Sequence, residues 1–235
     1  MEIRVVKAGS TSAWFKEGFA LFRLAPWIWI AQVVVFFAIL IVLSLVPVLG
    51  QVAAALLSTV FVGGLQWACE QGRNGQEMKF EYLFEGFRRS TTPLILLGVY
   101  YAIGTFLAVA LATVLVAATG FGLSDGGDGG DAALGVMALG PLLMALVAMV
   151  FSLPLAMAIW FAPSLVIFDE QSPWDAMKLS FIGCCKNWLA LTLYGIWFVV
   201  LSLLASIPAG LGWLVLIPTI IGSTYAGYRE IYRPA

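Results

Sequence analysis

LAPWIWIAQVVVFFAILIVLSLVPVLGQVAAALLSTVFVGGLQWAC, residues 24–69, carries no charged side chain. A transmembrane helix needs about 20 apolar residues, so this one stretch is long enough for two crossings. Pro47 and Gly50 stand in its middle, where a chain that reverses direction needs a helix stop and a turn. The stretch predicts a transmembrane hairpin, with one crossing from Trp27 to Leu45 and a second from Gln51 to Cys69.

The same pattern continues along the chain. Ser90 to Ser124 is again free of charge and holds one crossing near Pro93 to Thr119, followed by the acidic, Gly-rich connection Gly120 to Asp131. A fourth segment, Ala132 to Phe168, is longer than one crossing needs. Its Pro141, Pro154 and Pro163 predict a short lead-in helix and then a kinked crossing. From Asn187 to Tyr228 the chain is uncharged once more, and Pro208, Gly210 and Gly212 divide it into a fifth and a sixth crossing. The expected fold is all-α: a polytopic membrane protein with six transmembrane helices in one integral membrane domain, residues 1–235.

Composition agrees. Of 235 residues, 62% are apolar and only 11% charged, against about 25% charged in a soluble domain. The net charge of -1 gives no electrostatic footprint for nucleic acid. There is no histidine, which removes the commonest general base and metal ligand and weighs against an enzyme. Cys69, Cys184 and Cys185 are odd in number and lack CxxC spacing, so neither a disulfide framework nor a zinc site is indicated, and the adjacent Cys184 and Cys185 read as small packing residues in preference to a vicinal redox pair. Met1 to Gly9 shows no cleavable signal peptide.

Orientation follows from where the basic residues fall. The N-terminal segment holds Arg4, Lys7, Lys16 and Arg23, and the second connection Arg73, Lys79, Arg88 and Arg89. Lys178 and Lys186 lie in the fourth connection, Arg229 and Arg233 at the C-terminus, and these account for all 12 Lys and Arg. The first, third and fifth connections have none, and the third carries Asp125, Asp128 and Asp131. Short basic segments stay in the cytoplasm, so both termini are expected there, which requires an even number of crossings.

Ahead of each predicted hairpin lies a short segment mixing charges and aromatics, the pattern of a helix lying in the membrane interface. Trp14, Phe15, Gly18, Leu21 and Phe22 form the apolar stripe of the first. Phe80, Leu83, Phe84 and Phe87 form that of the second, where Glu85 can pair with Arg89 one turn on. Ser172, Pro173 and Asp175 start the third as N-cap, N1 proline and N3 acid. Leu179 and Ile182 intrude on its polar side. Glu17-Gly18-Phe19 recurs as Glu85-Gly86-Phe87, with Phe181 in the corresponding place of the third. Three repeats of an interfacial amphipathic helix plus a transmembrane hairpin are therefore expected, over about 10–72, 76–170 and 171–235.

Trp14-Phe15-Lys16-Glu17-Gly18-Phe19-Ala20-Leu21-Phe22-Arg23, Ile159-Trp160-Phe161-Ala162-Pro163-Ser164-Leu165-Val166 and Tyr225-Ala226-Gly227-Tyr228-Arg229-Glu230-Ile231-Tyr232 carry a resemblance. Across nearly the whole chain the sequence resembles a proteobacterial family of uncharacterised six-helix inner-membrane proteins. More distantly it is similar to the membrane domains that accompany some glycerophosphodiester phosphodiesterases. Nothing matches that enzyme's catalytic domain. The resemblance implies a bacterial inner-membrane location and supplies no catalytic residues.

No predicted crossing contains a charge, and a charge at mid-bilayer costs on the order of 2.5–3.5 kcal/mol unless function retains it. That pattern is unlike a proton-coupled antiporter, a pump or a voltage sensor. Gln32, Ser58, Thr59, Gln66, Thr105, Thr113, Ser152, Thr219 and Thr224 are the polar groups within the crossings, and they can bond to helix backbones or to each other. Gly104, Ala108 and Ala112, Thr59 and Gly63, and Gly222 and Ala226 allow close helix approach within one chain, to a second copy or to a membrane-protein partner. Pro154, Pro163 and Pro218 read as static kinks. The acidic series Asp125, Asp128, Asp131 lacks the paired ligands and final Glu of a calcium loop.

No catalytic, cofactor-binding or metal-binding residue is therefore nominated. The expectation is a non-enzymatic accessory or scaffold protein of the inner membrane, partnered by the lipid bilayer and engaging a partner complex or envelope machinery. The alternative is a transporter or scramblase for lipid or an uncharged solute. A polar cavity lined by Thr59, Thr105 or Thr224 would favour the alternative, and a tightly packed bundle the first reading.

Overall fold

The computed structural model describes residues 2–118 and 130–233, with side chains described for 2–115 and 145–233. The Asp125 and Asp128 positions lie outside the described residues, as does the side chain of Asp131. Among the described residues all regular secondary structure is helical. Helix α1 spans Ser10–Leu24, α2 Pro26–Ser44, α3 Leu49–Arg73, α4 Glu85–Arg89 and α5 Thr91–Ala118. Beyond them come α6 Gly130–Trp160, α7 Ala162–Asp169, α8 Pro173–Lys186, α9 Trp188–Ser206 and α10 Trp213–Tyr232.

Among the described residues, five stretches are long and apolar enough to cross a membrane: Pro26–Ser44, Leu49–Arg73, Thr91–Leu115, Ala145–Asp169 and Trp188–Ser206. The sixth expected crossing corresponds to α10. Its 20 residues reach about 30 Å at 1.5 Å per residue, but it carries Thr219, Ser223, Thr224, Arg229 and Glu230. The physical reason is its position: α10 packs against α1, α2, α3 and α9, and a helix walled by protein has less need of an apolar surface than one walled by lipid.

The sequence-predicted turns are where Pro and Gly put them. The α2–α3 turn lies at Leu45–Val48, and the α9–α10 turn passes through Ala209 and Gly210, both at positive φ. Gly75 at φ +72 reverses the chain after α3, a conformation that suits a residue without Cβ. Helix α8 starts as predicted, with the Ser172 Oγ accepting the Asp175 N–H at 3.2 Å and Pro173 in the first turn.

The fourth segment differs from expectation. Helix α6 runs unbroken through Pro141 and Pro154, and of the three prolines only Pro163 marks the break, which falls at Phe161 just ahead of it. There the hydroxyl of Ser180, from α8, enters the helical ladder: it accepts the Phe161 N–H at 3.0 Å and donates to the Met157 carbonyl at 2.7 Å. A side chain inserted between an N–H and its i−4 carbonyl ends the helix locally.

The segments ahead of the hairpins pack on the long helices, and α1 runs antiparallel alongside α10, with Ser10 bonded to Glu230, Trp14 against Gly227 and Gly18 against Gly222. Gly18 approaches α10 so closely that a Cβ there would lie 2.2 Å from the Thr219 carbonyl oxygen. Gly86 of α4 meets α3 in the same way, 2.1 Å from the Val60 carbonyl oxygen. In α8 the position corresponding to these glycines is Ser180, bonded to the Met157 carbonyl of α6. The stripe of α1 is buried as expected, at Trp14, Phe15, Gly18, Leu21 and Phe22. The second segment is not one helix. A 3₁₀ turn over Phe80–Phe84 precedes α4, bringing the Tyr82 and Leu83 carbonyls against Gly64. Leu83 is fully buried, while Phe84 and Phe87 are half-buried.

Burial gathers at the end where these segments lie, around Trp14, Leu65, Cys69, Leu83, Leu165, Tyr225 and Tyr228. Toward the hairpin tips the helices expose apolar side chains, among them Val42, Leu45, Leu49, Val114, Leu203 and Ile207. Such surface is the natural complement of lipid tails.

Candidate functional site

Helices α3, α5, α6, α7 and α10 line an open cavity of about 320 Å³. Ser58, Thr59, Gln66, Tyr101 and Thr224 supply its polar lining, and Val62, Trp160, Pro163 and Ile220 its apolar walls. Of the three threonines singled out in the sequence, Thr59 and Thr224 meet here. Thr105 instead lines a separate groove between α5 and α6, together with Ser152. Tyr101 borders both spaces.

Most of the polar groups within the crossings are held by backbone, as expected. Thr105, Thr113 and Thr219 donate to the carbonyl four residues back, and Ser58 and Ser152 to the one three back. Gln32 donates to the Lys79 and Phe80 carbonyls, tying α2 to the 3₁₀ turn. Thr59 donates to Leu94 across the α3–α5 contact at 2.7 Å. Gln66 is held more weakly: its Nε2 reaches the Ile221 carbonyl only at 3.5 Å, and its Oε1, like that of Gln32, is buried with no hydrogen-bond donor among the described residues. A buried acceptor left unmade costs more than a made bond returns.

The charged end of the bundle carries a floor of aromatics and ions, of which the sequence reading singled out only the Glu85–Arg89 pair. Phe168 stacks between Trp67 and Tyr228. Tyr225 donates its hydroxyl to Glu70, and Tyr228 donates to Asp169. Asp169 also holds Arg233 at 2.9 Å through Nε. Burial works against the Arg233 charge, but the bond to Asp169 and the nearby carboxylates hold its pKa above the ordinary guanidinium value. Glu230 accepts from Ser10 at 2.7 Å and from the Trp14 indole at 2.6 Å, and Arg73 meets Glu17 at 3.4 Å. Arg89 lies over the Trp67 ring, 3.5 Å from its centroid, while pairing with Glu85 as the spacing predicted. The signal for this floor was Tyr225, Tyr228 and Tyr232, at i, i+3 and i+7 on one helical face. Their acidic partners come from α3 and α7 and share no local pattern with them.

The small-residue stripes are used inside the chain. Gly222 abuts Gly18, Gly63 abuts Leu94, and Gly104 abuts Leu155. All three cysteines are free. Burial pushes the Cys184 thiol up to about 12, so it stays a neutral packing group. Among the described residues no cluster of His, Cys, Asp or Glu could hold a metal ion.

One comparison is informative. The chain is 29% identical to a probable inner membrane protein of Burkholderia thailandensis, over 99% of this chain and 93% of the relative. That match, together with the five apolar stretches, marks an integral membrane protein. It says nothing of glycerophosphodiester phosphodiesterases. No family model and no solved structure matches the chain.

Proposed function

We propose that this chain is a non-enzymatic accessory or scaffold protein of the bacterial inner membrane, with six crossings and both termini in the cytoplasm. Three repeats, over about 10–72, 76–170 and 171–235, close into a ring in which each interfacial segment lies on the second long helix of the preceding repeat. Supporting the ring are the contacts of Gly18 with α10, Gly86 with α3 and Ser180 with α6. Supporting the orientation is the placement of all 12 Lys and Arg in the N-terminal, second, fourth and C-terminal segments.

The observation that carries the accessory role is the cross-braced floor at the charged end. Tyr225 with Glu70, Tyr228 with Asp169 and Phe168 between aromatic neighbours tie α10 to α3 and α7 there. A braced end suits a docking platform better than a moving conduit. Outside it, Lys16, Arg23, Glu81, Arg88 and Lys178 are exposed and available to a partner. One observation favours the second reading, a transporter or scramblase: the central cavity lined by Thr59 and Thr224.

Purification from native membranes in a gentle detergent separates the two. The accessory role predicts a stoichiometric co-purifying protein whose retention is lost when Arg88 and Lys178 are replaced by Glu. A monodisperse chain carrying a specific lipid and no protein would contradict it.

A further inference from the structure

Helices α5, α6 and α8 border an open groove of about 490 Å³. Gly104 and Ala108 of α5 and Ala158 of α6 have too little side chain to fill it, and Leu107, Leu111 and Phe151 line its walls. Each long wall runs about 10 Å along its helix, at about 1.5 Å per residue, inside the membrane-capable stretches Thr91–Leu115 and Ala145–Asp169. Helix α8 lies across one end. There Trp174 meets Tyr100 of α5, one turn before Gly104, and the Ser180 hydroxyl meets Met157 of α6, next to Ala158. The other end, at Leu111 and Phe151, lies farther along both spans.

The lining is apolar except at the α8 end, where Lys178 is its one charged residue and no carboxylate accompanies it. Trp174 stands beside Lys178, 56% exposed and braced edge to face by Tyr100 at 6.2 Å. Among the described residues its indole N–H has no acceptor. The Lys178 ammonium lies over that indole, 5.4 Å from the ring centroid, and reaches Asp175 only at 3.5 Å. Asp175 is itself held at the start of α8, where it accepts from the Ser172 hydroxyl at 2.7 Å. An ammonium has three protons to donate, and an ion pair this exposed holds its members weakly, so Lys178 has capacity for a second anion.

We propose that this groove binds a phospholipid with a net negative headgroup, of the phosphatidylglycerol class. Its acyl chain lies between α5 and α6, its phosphate meets the Lys178 ammonium, and the Trp174 indole donates to the ester oxygens beside the phosphate. Charge selects this occupant. The walls are apolar and take a chain, while the single cation at the α8 end calls for an anion. A zwitterionic lipid brings its own cation to the same place and gains less. A neutral lipid, or an apolar helix of another protein, brings no anion at all. The assignment goes beyond the accessory role, since a platform can hold such a lipid with or without a protein partner.

The test uses the purified full chain in phosphatidylcholine nanodiscs doped with phosphatidylglycerol carrying a diazirine on one acyl chain. Crosslinks are mapped by mass spectrometry and compared with those from phosphatidylcholine carrying the same diazirine. One lysine near a membrane surface favours an anionic lipid about fivefold. Phosphatidylglycerol is therefore expected to label the peptide containing Phe151 and Leu155 about fivefold more than phosphatidylcholine does. At Val34 and Phe37, exposed on α2, the ratio is expected to stay near one. Lys178→Gln is expected to bring the Phe151 ratio down to the α2 value, and Lys178→Arg to preserve it. Both variants change a half-exposed side chain, so the fold is expected to persist. Equal ratios at the groove and at α2, or a groove ratio that survives Lys178→Gln, overturn the site. The chain is tested without a partner, so none of these outcomes depends on whether a protein co-purifies.

Discussion

Gly18→Leu is expected to abolish the folded protein. The atoms nearest a new Cβ are backbone, the Thr219 oxygen at 2.2 Å and the Ser223 nitrogen at 2.6 Å, so no rotamer change relieves the clash. Helix α1 would have to lift off α10, uncovering Trp14, Phe15, Leu21 and Phe22, each now less than a tenth exposed. Overpacking alone costs about 1–3 kcal/mol, and each large apolar side chain uncovered adds about 1.5–3 kcal/mol if water replaces its contacts. The sum meets or exceeds the total stability of a typical domain of about 5–15 kcal/mol. Size-exclusion chromatography in mild detergent reads the outcome: Gly18→Leu is expected in the void volume. Gly9→Ala, where no heavy atom lies within 4 Å of the new Cβ, is expected to elute as the native protein. A monodisperse Gly18→Leu with an unchanged melting temperature would show that the α1–α10 contact is not tight.

Asp169→Ala is the next largest effect expected. The carboxylate is nearly buried, with 12% of its side chain exposed, and accepts from Tyr228 while pairing with Arg233. Its removal strands a phenol on a fully buried Tyr228 and a half-exposed guanidinium. Losing a charged acceptor from a buried donor costs about 2–4 kcal/mol, mostly the penalty of the group left behind. Tyr228→Phe in the same chain removes the stranded hydroxyl, so the double variant is expected to be less destabilised than the two singles added together. Thermal melts of the four proteins measure this coupling. Strict additivity would mean that the Tyr228–Asp169 bond contributes nothing. The Lys178–Asp175 pair is the contrast, since both side chains are more than half exposed and such pairs contribute about 0–1 kcal/mol.

These two sites show what was and was not legible in the sequence. The α1 stripe, the Glu85–Arg89 pair, the Ser172 cap and the hairpin turns each depend on residues within a turn or two of one another. Spacing alone reveals them, and the structure has them where the spacing put them. The break at Phe161 was legible through Pro163, but not the Ser180 hydroxyl that bonds the broken ladder, because it arrives from another helix. The floor escaped for the same reason: Glu70, Asp169 and Tyr228 are far apart in the chain, and carboxylates beside an apolar run look like connection residues. Thr59 and Thr224 were legible as polar groups in apolar helices, but only the fold brings them to one cavity and leaves Thr105 outside it. Helix α10 combines both lessons. Its tyrosine periodicity is visible in sequence, while its lower apolarity makes sense only once α1, α2, α3 and α9 are packed around it.

The central claim is that basic side chains share one compartment because the apolar hairpins between them cross the bilayer in pairs. Cysteine accessibility tests it most directly, in a chain whose exposed Cys185 is replaced by Ser. Gly127→Cys, in the connection between α5 and α6, is predicted to react with a membrane-impermeant maleimide in intact spheroplasts. Gln76→Cys, in the basic connection after α3, is predicted to react only after the membrane is opened. Labelling of position 76 in intact spheroplasts, or labelling of both positions from the same side, would contradict the account.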